Sequence, residues 1–173
     1  LEGLDCFRCP YGKTRETCDV ECFASAEEAF AAHGQETVAV VVEPVLQGAA
    51  GMRIYPPLYL KKLRELCDRY GVLMIDDEIA AGFGRTGKFF AIEHAGVFPD
   101  ILCTSKGLTA GYMPMSIAIT TEAVYQAFYD DYEKHKAFVH SHTYAGNPLG
   151  CVIALMVLRI MKRDHLLERV NTL

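Results

Sequence analysis

The apolar positions of the chain fall into four short runs, separated by stretches of helical spacing and by glycine-rich loops. "TVAVVVEPV" is continuous and β-branched, the mark of a strand buried on both faces. "VLMIDDEI", "ILCTS" and "MPMSIAITT" predict three further strands. In "PPLYLKKLRELCDRYG" the prolines open a helix, Leu60, Leu63, Leu66 and Cys67 share one face, and Gly71 stops it. An earlier helix is expected from Ser25, as an N-cap with Glu28 three residues on, to His33, with Gly34 ending it. "AIEHAGVFPD" reads as a short helix and turn, "EAVYQAFYDDYE" as a helix and "FVHSHTYAGN" as an extended connector. A long apolar helix follows from Pro148 to about Met161. Residues 1–23 are irregular and rich in cysteine.

Buried strands alternating with helices predict an α/β fold, a three-layer arrangement with a mostly parallel sheet between helices. Chemistry in such sheets gathers at the carboxyl ends of the strands. Glu43, Asp77 and Lys106 each sit at such an end, so the three form a candidate constellation. Lys106 is surrounded by Ser105, Gly107, Thr109, Ala110 and Gly111, all too small to cover it. A lysine reaching for water explains one such residue on its own. With the carboxylates beside it, two chemical uses arise. The lysine can anchor an anion, or it can be an amine nucleophile toward a carbonyl cofactor, where small neighbours leave room for a flat ring. In the second case a carboxylate holds the protonated nitrogen of a pyridoxal phosphate ring. Asp76 and Asp77 both qualify. Adjacent strand residues face opposite ways, so only one of them can do so.

Composition narrows the partners. A net charge of −5 argues against nucleic acid or an anionic membrane surface. No apolar run approaches the roughly 20 residues needed to span a bilayer. Seven cysteines, an odd number with several in apolar contexts, favour reduced thiols and a cytoplasmic location. Cys6, Cys9, Cys18 and Cys22 are dense enough to suggest a structural zinc, but the spacing of the second pair is loose and no metal is expected. "GFGRTG" lacks the Lys-Ser/Thr order of a phosphate loop and reads as a turn-rich segment, a candidate for a subunit interface.

"LMIDDEIAAGFGRTGKFFAIEHAGVFPDILCTSKGLTAGYMP" resembles the signature of the class III, fold type I, pyridoxal-phosphate aminotransferases. "VEPVLQGAAGM" and "HTYAGNPLGC" extend the resemblance over nearly the whole chain. Within the class, "GRTGKFFAIEHAGVFPDI" and "AFYDDYE" look closest to the branch that makes 7,8-diaminononanoate for biotin. The resemblance implies a segment of the large cofactor-binding domain, with an upstream part and a C-terminal small domain outside these 173 residues, which alone are expected to be inactive. It implies that Lys106 carries the cofactor and that Asp77, rather than Asp76, faces the ring nitrogen. It assigns His142 and Thr143 to the cofactor from a neighbouring subunit of a homodimer with a shared active site, and Ser141 and Glu43 to the substrate side. The implied substrates are a small amine donor, adenosylmethionine or lysine, and a keto acceptor. Two alternatives stay open: another ω-amino-acid or diamine aminotransferase of the class, and a non-catalytic, zinc-stabilised or degenerate binding module.

Overall fold

The computed structural model describes residues 4–140 and 142–173. A short 3-10 turn, Glu21–Phe23, runs straight into α1, Ala24–His33. Strand β1, Ala39–Val42, is followed by a two-stranded hairpin of β2, Leu46–Gln47, and β3, Arg53–Ile54. Helix α2, Leu58–Tyr70, leads to β4, Leu73–Asp77, and a loop with a 3-10 turn, Ala91–Ala95, leads to β5, Ile101–Thr104. A 3-10 turn, Lys106–Thr109, precedes β6, Ile117–Thr120, and α3, Glu122–Gln126. Helices α4, Pro148–Arg163, and α5, Leu166–Val170, complete the chain.

The main sheet has the order β1-β4-β5-β6, with β1, β4 and β5 parallel and β6 antiparallel at the edge. The expected mostly parallel α/β sheet is present. One face packs against the helices. Phe23, Ala26 and Phe30 on the α1 side and Tyr59, Leu60, Leu63, Leu66 and Cys67 of α2 form one cluster with Val42 and Met74 of the sheet. Gly71 ends α2 with φ 67°, the left-handed stop read from the sequence. The other face is only partly covered. Val41 is 67% exposed on it, and Ile75, Asp77, Ile101 and Cys103 are half-buried.

Three local expectations change. The β-branched run around β1 forms a strand of only four residues at the sheet edge, and it is covered on one face rather than two. Ser25 is not the N-cap. The preceding 3-10 turn already supplies the first turn, and Ser25 Oγ donates to Cys22 O at 3.1 Å inside the helix. Gly34 does end α1 as expected, with an ordinary right-handed φ of −57°, and a side chain there would run into the ring of Tyr70. Its smallness serves the α1–α2 approach, where Phe30 and Tyr70 meet edge to face at 5.5 Å. Finally, α3 stops at Gln126. The residues after it are exposed, and a short helix without a buried face is marginal.

Asp100, just before β5, fixes β4 against β5 and against α2. Its carboxylate accepts from Met74 N–H and from the Arg64 guanidinium, each at 2.7 Å, and its own N–H donates to Met74 O at 2.9 Å. The Pro-Asp step thus ties β4, β5 and α2 together. Asp100→Ala is expected to lower stability by about 2–3 kcal/mol, since charge-assisted bonds are lost and a half-buried arginine is left without this partner. Urea unfolding measures it; a loss under about 0.5 kcal/mol would mean that water replaces these bonds.

Candidate functional site

Parallel pairing brings the carboxyl ends of β1, β4 and β5 to one edge of the sheet. Val42 stands opposite Asp76, and Asp77 opposite Cys103. Glu43, Asp77 and Lys106 each follow or end one of these strands, so they share that edge.

Lys106 is exposed and has a positive φ of 23°, a strained backbone for a residue with a Cβ. Its surroundings hold it there. Leu108 N–H donates to Ser105 O at 2.7 Å, Ser105 Oγ to Met115 O at 2.7 Å, and Thr109 Oγ1 to Met113 O at 2.5 Å. Leu108 and Thr109 are buried, and α4 lies along the turn, with Gly150 against Met115. Gly107 has a separate reason to be small. A Cβ there would stand 2.7–2.9 Å from the side chain of Phe83. Phe83 belongs to "GFGRTG", so that loop packs on the residue beside the lysine. The loop is closed by Phe83 N–H to Phe89 O at 2.7 Å and by edge-to-face contacts among Phe83, Phe89 and Phe90.

The alternation of the extended chain separates the three carboxylates at and just after the end of β4. Asp77 faces the half-open side, where its Oδ1 accepts from Ile79 N–H at 3.0 Å. Asp76 and Glu78 are fully buried on the other side. Burial, with Glu78 beside it, pushes the Asp76 carboxyl up to about 8. Burial also raises Glu78, against the Ile92 N–H that donates to its Oε1 at 2.9 Å. Glu43 is half-buried; its Oε2 accepts from Gly48 N–H at 2.8 Å, and its carbonyl accepts from the buried Tyr55 hydroxyl at 2.5 Å. A Cβ on Gly48 would lie 3.5 Å from Glu43 Oε2 and 3.6 Å from Ala80 Cβ, which places Glu43 beside the loop that follows Asp77.

His142 and Thr143 are exposed in the connector before α4. His142 Nδ1 accepts from Tyr144 N–H at 3.2 Å, and no described bond joins either residue to Lys106 or Asp77. Ser141 lies outside the described residues. All seven cysteines are free, and among the described residues no group of three or more His, Cys, Asp or Glu is placed to hold a metal. Burial and neighbouring thiols raise Cys6 and Cys22. Sequence reasoning missed Glu78, Phe83 and Asp100 as supports of the site. The only signal was their place inside the compound motif.

The family model described as Aminotransferase class-III matches residues 6–173. An adenosylmethionine-8-amino-7-oxononanoate aminotransferase of Geobacter sulfurreducens is 48% identical over 165 residues, which are 95% of this chain and 36% of the relative. The crystal structure of the enzyme of that name from Methanocaldococcus jannaschii superposes with a TM-score of 0.84 at 37% identity, over 87% of this chain and 35% of that one. An amine transaminase from an uncultivated Pseudomonas species, solved in its PLP-bound form, gives 0.83 at 36% identity, over 94% and 37%. The chain therefore spans about a third of the length of the proteins it matches.

The Phe83–Gly107 contact makes a specific demand on stability. Gly107→Ala is expected to cost about 1–3 kcal/mol by overpacking, and most of that loss should vanish in a Phe83→Gly background. A double-mutant cycle in denaturant reads the coupling; equal costs in both backgrounds would exclude the contact as the cause.

Proposed function

The chain belongs to the class-III aminotransferase family, and on that premise we propose that it is a segment of the large domain of a pyridoxal-phosphate aminotransferase. The reaction proposed for the whole protein converts 8-amino-7-oxononanoate to 7,8-diaminononanoate, with adenosylmethionine or lysine as amino donor. The observation that carries this reading is the exposed, strained Lys106 at the same sheet edge as Asp77 and Glu43. Fold similarity does not separate this substrate from those of other amine transaminases, since the TM-scores are 0.84 and 0.83. The 48% identity to the Geobacter sulfurreducens protein favours the biotin-pathway acceptor.

The residues present fit the cofactor. Lys106 extends from a turn flanked by Gly107, and Asp77 stands on the half-open face with Cys103 as its cross-strand neighbour. When bound, pyridoxal phosphate supplies the carbonyl that takes up the amino group and the ring that spreads the electron pair. Lys106 would hold the cofactor through Nζ, and its amine would move the proton at the donor carbon as general base and then acid. The Asp77 carboxylate would keep a proton on the ring nitrogen by a charge-assisted bond. Glu43 and Ser141 serve the substrate side. His142 and Thr143 serve the cofactor of a neighbouring subunit in a homodimer, a role that their exposed connector leaves them free to take. The free cysteines favour a cytoplasmic home, and no helix among the described residues is long and apolar enough to cross a membrane.

Cofactor trapping tests the reading without needing turnover. After incubation with pyridoxal phosphate and borohydride reduction, peptide mass spectrometry is expected to find one dominant adduct, on Lys106, that is lost in Lys106→Ala. Adducts spread over other lysines, unchanged by that substitution, would count against the assignment. On the full-length protein, turnover of 8-amino-7-oxononanoate with each donor in turn identifies the substrates.

A further inference from the structure

Asp76 and Glu78 are the fully enclosed carboxyl groups among the described residues, both 0% exposed and two positions apart on the same side of the β4 edge. Glu78 is heavily engaged. Its Oε1 accepts from Ile92 N–H at the start of the 91–95 turn, its N–H donates to Cys103 O at 2.8 Å, and its carbonyl accepts from Gly82 N–H at 3.0 Å. Glu78 Oε2 and both oxygens of Asp76, by contrast, have no donor from the rest of the protein. The two side chains are instead within hydrogen-bonding reach of each other. The other titratable groups that bear on the pair are Asp77, Tyr55 and Cys103 around Asp76 and Glu93 near Glu78, and none is a cation. Two carboxylates cannot hydrogen-bond without a proton between them, and burying both charges uncompensated is prohibitive.

We propose that Asp76 and Glu78 share one proton, with Asp76 the donor and Glu78 the acceptor, and that this pair positions the "GFGRTG" loop against the lysine turn. Glu78 takes the charge because backbone N–H groups of the 91–95 turn point at it, whereas Asp76 has no donor to support one. The neutral Asp76 also leaves one buried negative charge behind Asp77 instead of two. Both residues act through others. Glu78 anchors the two ends of the loop, at Gly82 and Ile92, and the loop sets Phe83 on Gly107 beside Lys106. The inference does not depend on the cofactor reading.

The pair should make stability depend on pH in a defined direction. An acid whose pKa is higher folded than unfolded binds its proton more tightly in the folded state, so its contribution is complete at low pH. That contribution is lost as pH rises from the ordinary carboxyl range to about 8. Asp76→Asn retains a donor toward Glu78 and cannot ionise. Thermal midpoints of wild type and Asp76→Asn, compared from about pH 5 to about pH 9, are expected to converge at the acid end. At the alkaline end wild type should fall behind by at least about 5 °C. Parallel profiles would overturn the proposal. Should the variant fail to fold, infrared spectra of wild type decide. A neutral carboxylic-acid carbonyl band must persist at about pH 7, where exposed carboxyls are ionised, and its absence would equally refute the shared proton.

Discussion

Strand β4 ends in Asp76 and Asp77 and is followed at once by Glu78, and the alternation of an extended chain lets only every other one of these acids share a side. Asp77 is thereby placed on the half-open face with Cys103 across from it, while Asp76 and Glu78 are driven beneath the sheet edge. The rest of the site depends on this division. A shift of one residue would bury Asp77 and bring its two neighbours to the surface. The loop bonds to Gly82 and Ile92 that start from Glu78 would be lost, and with them the seat of Phe83 on Gly107. One strand thus serves two purposes, presenting a carboxylate on one face and fastening the loop that supports the lysine from the other.

Such a register must be pinned away from the site, because burying carboxyl groups is itself unfavourable. The other end of β4 supplies the pin. Asp100 bonds to both backbone groups of Met74, and its second interaction, with Arg64, ties the strand to α2. Met74 itself is fully buried against the α2 face of Leu60, Leu63 and Cys67. Hydrophobic burial supplies the larger, non-directional share of this attachment, and the hydrogen bonds select which residue of the strand lands where. The favourable packing of β4 against α2 is therefore the source of stability that allows an unfavourable cluster of acids to persist at its end.

The parallel sheet, the amphipathic α2 with its Gly71 stop and the gathering of Glu43, Asp77 and Lys106 at one edge were legible in the chain, because each rests on local periodicity or on strand direction. The cover of each sheet face was not. The valines of β1 read as doubly buried, yet Val41 is largely exposed, since periodicity tells which positions are apolar and not which element lies above them. Helix α3 failed in the same way, as its aromatic run has helical spacing but finds no surface to bury against. Gly34 ends its helix as read, but local pattern does not reveal that Gly34 and Gly107 each also make room for a ring distant in sequence, Tyr70 and Phe83. His142 and Thr143 sit in the exposed connector before α4, and no described bond brings either to Lys106.

What distinguishes Lys106 from an ordinary strand-end lysine is the effort made to hold its backbone. A lysine that merely reaches for water tolerates any backbone its neighbours prefer, and the chain could relax a φ of 23° at little loss to exposure. Here relaxation is resisted from three directions: the Ser105 and Thr109 hydroxyls bonded to the 113–115 segment, the ring of Phe83 on Gly107, and α4 along the turn. Backbone strain of this kind costs on the order of 1–3 kcal/mol and persists only where surrounding contacts over-determine it. The side chain so presented is exposed, while the two residues that follow Gly107 are buried. Burial thus fastens the turn, and the amine is left uncovered at a fixed point of the edge that Asp77 also faces. That combination of rigid backbone and open amine is what nucleophilic chemistry on a carbonyl cofactor requires and what simple solvation of a lysine does not.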